Sequence, residues 1–599
     1  MKLKYISFPG IIILFGVLFS LYLQWYIAEG VFFSGDGGLK ALLAQQFAAG
    51  DLRFDLITPD ISWIEHLWHQ GLYPYEPPFV YNLTDKYFVT FPYTFPLITA
   101  PFLAWFGERG MYIIPLVSTW IIWLNFYWVG RKIKLGSLSF SLGLFSLIFA
   151  SYLTFYSAIY WEHTLAVALS FAGLSLYIIG NYPKKRTNIT AIASGVLIGL
   201  SVWFRPEFLC LVALLSGMVI FAAWSWFIKA IADNIFQIKE FKSLAAKKEI
   251  FIASMVITVA GFFLSNQLIY GHFLGIHGIQ AVEKIPFSDR VTGIGLNFIQ
   301  MSTALSKYLP VIFFPVFCGL VITALDFFQR KNKSHKIVAV GVFIFYSLLY
   351  TVFLNNDFHF GNLAIKLFAL KWLPLIIIFY LLRDSKIKFN SGLLFVVSLA
   401  SLLFILGVAI LVPVGTAGLI PGGKQWGVRF LLILVPIISL LVAIACNNLK
   451  TWRQYSLLII LIGLLAIGVH KNTIQALNTL ENNLKNTLPA VEFIKQDHNK
   501  IIAVSQQFVA QALEPAVAQQ KTFFKVEDRE QLIQLSHALV ENNYSTFLYI
   551  CYPHQVCQIP KISPESLKFL VGDRYYQIDT VSLGKFGKYP MYQLSLKSE

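Results

Sequence analysis

The chain alternates long apolar runs with short polar turns. A transmembrane helix needs about 20 mostly apolar residues, and about 13 runs approach that length. They fall near 6–28, 110–130, 138–157, 164–181, 189–204, 208–228, 250–270, 308–328, 337–354, 364–382, 391–413, 428–447 and 455–470. Two regions break the rhythm. The first, 29–109, is a long loop after the first run. Within it Leu39, Leu42, Leu43 and Phe47 share one helical face, which predicts a juxtamembrane helix lying on the membrane surface. The stretch Phe91 to Phe106 is apolar but short and carries Pro92, Pro96 and Pro101, so it reads as an interfacial or re-entrant segment. The second region, 471–599, is polar. Strands are predicted at Lys500 to Ser505, Thr546 to Cys551, 575–583 and 589–596, and a helix at Glu527 to Glu541. The predicted fold is therefore an α-helical polytopic membrane protein. Its membrane-spanning domain covers 1–470, and a small C-terminal α/β domain covers 471–599.

Composition agrees. Charged residues make up 13% and hydrophobic residues 57%, whereas a soluble domain carries about 25% charged residues. The mean hydropathy is +0.64. A net charge of +16 would suit nucleic acid, but the basic residues stand in short clusters between apolar runs, where they orient a membrane protein instead. Lys2 and Lys4 put the N-terminus inside. The clusters at Arg131, Lys132 and Lys134, at Lys184 to Arg186, at Lys229 to Lys248, at Arg330 to Lys333, at Arg383 to Lys388, and at Lys450 and Arg453 then all follow even-numbered runs. This alternation puts the loop 29–109 and the C-terminal domain outside. Cys210, Cys318 and Cys446 lie within apolar runs as packing residues, while Cys551 and Cys557 lie in the outer domain, where a disulfide is permitted.

Ionisable groups near a membrane are costly, and on the predicted outer side they gather at a few places. Asp36 stands in Ser34-Gly35-Asp36-Gly37-Gly38. A carboxylate there could take a proton from an acceptor, or it could cap a helix beginning near Gly38. The other places are Trp161-Glu162-His163, Arg205-Pro206-Glu207, Asp357 with His359, and Lys424 with Trp426-Gly427-Val428-Arg429. Each alone reads as a helix-end or snorkelling group. Their shared side suggests a site for an anionic substrate, with Arg429 and Lys424 suited to phosphate oxygens.

In layout, and in the patches Trp161–Thr164 (WEHT), Phe204–Glu207 (FRPE) and Gly423–Leu432 (GKQWGVRFLL), the chain resembles the GT-C superfamily of membrane glycosyltransferases, which includes protein O-mannosyltransferases and lipid A aminoarabinose transferases. The resemblance implies an inverting glycosyltransferase of a bacterial inner membrane. It would move a hexosyl or pentosyl group from a polyprenyl-phosphate donor to a lipid, glycan or protein acceptor on the outer side. Asp36 matches the family's catalytic acid. Arg205, Lys424, Arg429, Glu162, His163 and His359 are then expected to bind donor phosphate or substrate around it. Members often carry two adjacent acids at this point, whereas here Gly37 follows Asp36. That departure makes Asp51 and Asp55 the fallback acids and leaves a divalent metal open. Two rival readings are a lipid-linked sugar transporter or flippase and an envelope polysaccharide polymerase or ligase. The first is disfavoured by the absence of paired halves, the second by the long loop coming first rather than late.

Overall fold

The computed structural model describes residues 8–179, 187–223, 248–278, 287–315, 391–412, 426–447, 457–553 and 568–598. The expected runs 337–354 and 364–382, most of 308–328, and the residues His359, Lys424 and Cys557 lie outside these. Among the described residues three helices are long and apolar enough to cross a membrane, Glu108–Lys132, Glu249–Tyr270 and Leu457–Gln496, and further apolar helices are shorter. The chain forms two compact units. One comprises Met1–Leu23 with Ile114–Ala476, the other Gln24–Ile113 with Leu477–Glu599.

The first unit is helical, and small residues set how closely its helices approach. The Ser137–Ile148 helix lies antiparallel to Leu434–Asn447: Gly136 donates its N–H to Asn447 Oδ1 at 2.8 Å, and Ser146 meets Ser439 at 3.3 Å. A Cβ on Gly143 would come within 2.6 Å of the Ala443 methyl. Phe8–Gln24 runs antiparallel to Ile113–Lys132, with Ser20 bonded to Trp120 and Gly16 facing Trp123. Asn188–Phe204 runs parallel to Lys248–Tyr270: Gly195 sits against Phe251 and Ser254, and Trp203 donates to the Thr258 carbonyl at 2.9 Å. Each of these directions is the one that the alternation of Lys/Arg clusters predicts.

The Phe287–Tyr308 helix is not among the expected apolar runs. It carries Asp289, Arg290, Gln300 and Lys307, so it is amphipathic rather than uniformly apolar. Asn297 is buried while Leu296 and Ile299 are exposed, and from Met301 to Ser306 the helix is buried all round. Asn297 donates to the Ala409 and Val412 carbonyls, at 3.2 and 2.9 Å, and so satisfies the C-terminal end of the Ser391–Leu411 helix.

The second unit joins the long first loop to the C-terminal residues. Its six-stranded sheet runs in the order Thr522–Lys525, Ile501–Val504, Thr546–Ile550, Tyr589–Ser598, Arg574–Phe586, Lys568–Val571. The first three strands are parallel and the rest antiparallel. Asp528 caps the Arg529–Glu541 helix by accepting from the Gln531 N–H at 2.9 Å. Cys551 is disulfide-bonded. The last apolar run forms the helix Leu457–Val469, followed by a widened turn His470–Gln475 and then the helix Ala476–Gln496.

Two expectations for the first loop are corrected. Its helix runs Gly35–Ala48, with Ser34 in extended backbone at the N-cap, so Asp36 is a first-turn residue and not the cap. The helix is also buried nearly all round rather than along one apolar stripe. Gly37 to Ala41, Leu43, Ala44, Gln46 and Phe47 are all buried, against the helices Thr94–Phe106 and Gln507–Leu513. The glycines around Asp36 make this possible. A Cβ on Gly38 would fall 2.0 Å from the Gln511 carbonyl oxygen, and one on Gly35 would fall 2.2 Å from Gln511 Oε1. Gly38→Ala is therefore expected to destabilise this unit by about 1–3 kcal/mol, because the overlap outweighs the gain in helix propensity. A thermal midpoint at or above that of the wild type would show that Gln511 yields freely.

Candidate functional site

In the helical unit, charged and aromatic residues collect at one end of several helices. Glu162 immediately precedes the His163–Ile179 helix, and Arg205 immediately follows Asn188–Phe204. Glu207 sits in the turn Pro206–Phe208, where Pro206 sets the first helical position. Arg429 opens the turn before Leu434–Asn447. Lys471 follows Leu457–Val469 in a widened helical turn.

The arrangement is specific. Arg205 donates from Nη1 to Glu162 Oε1 at 2.9 Å and from Nε to Glu207 Oε1 at 2.7 Å, and all three side chains are buried. The triad sums to one net negative charge, two carboxylates against one guanidinium. Arg205 and Arg429 each place their guanidinium 5.1 Å from the Phe430 ring, and Arg429 also lies 5.0 Å from Trp161. Such cation–π contacts strengthen when desolvated. The His163 ring packs 5.2 Å from Trp161 and 5.6 Å from Tyr156.

Arg429 is aimed by its own backbone. Tyr156 donates its hydroxyl to the Trp426 carbonyl at 2.7 Å, and Tyr152 donates to the Val428 carbonyl at 3.2 Å. Between these clamps Gly427 takes φ +70, and a Cβ there would lie 2.5 Å from Tyr152 Cγ. Only glycine fits this turn. The structure thus brings together four residues singled out from sequence: Glu162, His163, Arg205 and Arg429.

Sequence reasoning missed three neighbours. Glu207 was quoted within its patch but given no role. Lys471 stands 5.0 Å over Tyr308 and 5.4 Å from Trp426, and donates to Gln475 Oε1 at 2.8 Å. Tyr308 ends the unexpected helix and meets Trp426 edge-on at 5.3 Å. The available signal was a lysine placed just beyond the last apolar run.

Asp36 and the two fallback acids belong to the other unit. Asp36 is half-buried in the first turn of its helix, where the positive end of the helix dipole favours a carboxylate. Asp51 accepts from the Arg53 backbone N–H at 3.0 Å and from its guanidinium at 3.2 Å. The Arg53 N–H first, then its guanidinium, holds this carboxyl below the usual range. Asp55 is buried. In the same unit the Tyr75 hydroxyl donates to Glu514 at 2.6 Å, and burial pushes that carboxyl up to about 7. Among the described residues no three His, Cys, Asp or Glu side chains gather to hold a metal ion.

Compared with family models and with curated proteins, the sequence matches none. Among solved structures the chain is similar to ArnT from Cupriavidus metallidurans bound to undecaprenyl phosphate, with 11% identity, 97% of each chain covered and a TM-score of 0.45. It is also similar to the archaeal oligosaccharyltransferase AglB from Archaeoglobus fulgidus in complex with an inhibitory peptide and a dolichol-phosphate. There the identity is 10%, the coverage 91% of this chain and 69% of the other, and the TM-score 0.43.

Proposed function

We propose that this protein is a membrane glycosyltransferase that moves a sugar, with inversion, from a polyprenyl-phosphate donor to an acceptor on the outer face of the membrane. The observation that carries the reading is the aimed guanidinium of Arg429. A tyrosine-clamped glycine turn and two aromatic rings hold it at helix ends, beside a triad that already satisfies Arg205. A preorganised fork of this kind suits the oxygens of a leaving phosphate, whose negative charge grows as the glycosyl bond breaks. Asp36 is the base that takes the acceptor's proton. The outer location is supported by the basic cluster Arg131 to Lys134, which shortly precedes Gly136, and Gly136 bonds to Asn447 at the far end of the helix that Arg429 precedes.

The test uses purified full-length protein in nanodiscs with a labelled polyprenyl-phosphate sugar. Cleavage of the glycosyl–phosphate bond with transfer of label to an acceptor is expected. Arg429→Lys should lower kcat by about 10- to 100-fold, because a point charge cannot reproduce the fork. Movement of intact donor across a vesicle bilayer without cleavage would establish the flippase reading instead.

A further inference from the structure

The Gly35–Ala48 helix carries a second charge, and the glycosyl-transfer reading leaves it without a role. Lys40 is only 2% exposed, and its Nζ stands 4.4 Å from the centre of the Phe91 ring. A buried ammonium needs an opposite charge, since a ring face offsets only part of the lost hydration. The two helices packed against this one, Thr94–Phe106 and Gln507–Leu513, contain no ionisable residue. Three other carboxylates of the unit are engaged elsewhere. Glu514 accepts from Tyr75, Glu108 from the Gly30 N–H, and Glu76 holds Lys525. On the helix itself the charged residues are Asp36 and Lys40. They are four positions apart and share a face, with the acid on the N-terminal side, which is the favourable order for an ion pair on a helix.

We propose that Lys40 is the positioning residue for Asp36: its buried ammonium, fixed under Phe91, holds the Asp36 carboxylate in one orientation. The proposal rests on the reading of Asp36 as the base, and it explains why a lysine is tolerated in so enclosed a place. The helix backbone sets the height of the carboxylate and Lys40 sets its rotamer. A base held in this way loses little time in unproductive orientations.

The experiment is a double-mutant cycle in the full-length protein, read out by both turnover and thermal midpoint. Lys40→Met keeps the length of the apolar stem and removes the charge. Its kcat is expected to fall by about ten-fold or more, with the donor KM changed by less than about two-fold, as for an interaction that acts in the transition state. Asp36→Asn and Lys40→Met should each lower the midpoint, and the double variant should lose clearly less than the sum, which is the mark of a direct pair. Additive midpoints would overturn the pairing. Coupled midpoints with a wild-type kcat in Lys40→Met would overturn the positioning role and leave a purely structural pair. Wild-type turnover in Asp36→Asn would instead sink the reading of Asp36 as the base, while the midpoints still report whether the two side chains meet.

Discussion

Asp36→Asn is expected to abolish sugar transfer while the protein stays folded at assay temperature. Asparagine has nearly the shape of aspartate and keeps its hydrogen-bonding reach, but it cannot take a proton. The expected loss is about 10²- to 10⁴-fold in kcat, the range that a positioned general base contributes. Asp36→Glu tests geometry rather than charge. The extra methylene moves the carboxylate by about 1 Å, and displacements of that size are expensive in catalysis, so little activity should return. Far-ultraviolet circular dichroism and a melting curve separate loss of function from loss of fold. Asp36 is not the N-cap residue of the helix, since Ser34 occupies that position in extended backbone. Wild-type turnover by Asp36→Asn would leave Asp36 a first-turn residue that merely complements the helix dipole. The search for the base would then pass to the buried Asp55, because Asp51 is occupied by Arg53.

The helical part was legible where apolar length and basic clusters act together, because each helix must bury its backbone polar groups within itself and each cluster stays on one side. Glu162, His163, Arg205 and Arg429 were legible for the same reason: the charges stood at ends of runs that alternation placed on one side. The Phe287–Tyr308 helix was hidden because its polar residues lower its average hydropathy. Its buried apolar residues Met301, Ala304 and Leu305 stand at helical spacing, but Ser302, Thr303 and Ser306 between them are buried as well and mask it. The union of the first loop with the C-terminal residues was not legible at all. It depends on contacts between residues more than 400 positions apart, such as Gln45 with the Pro515 carbonyl at 2.8 Å and Trp68 with the Phe523 carbonyl at 3.2 Å. The glycines beside Asp36 show the consequence. From sequence they flanked an acid that could act as a base or cap a helix, whereas in the fold Gly35 and Gly38 give the side chain and the backbone of Gln511 room to approach.

The largest effect on stability is expected at Arg205. Its guanidinium is the shared cation of two buried carboxylates, at 2.9 Å from Glu162 and 2.7 Å from Glu207. Arg205→Met would leave both acids enclosed without a counter-charge, and breaking a buried ionic group in this way costs about 3–5 kcal/mol. A sharp fall in thermal midpoint in detergent, or failure to accumulate in the membrane, should follow. Arg205→Lys should fall between, since a single ammonium cannot reproduce two donors held in a rigid plane. A neutral triad, Glu162→Gln with Arg205→Met and Glu207→Gln, removes the stranded charges and should recover most of the midpoint, because replacing a whole buried ionic group is often nearly neutral. That recovered protein is the informative one. If it also transfers sugar, the triad only ties together the ends of the helices His163–Ile179 and Asn188–Phe204. If it is as stable as wild type but inactive, the field of the triad acts on the substrate. A single Arg205→Met variant with an unchanged midpoint would contradict the burial and pairing from which all of these expectations are drawn.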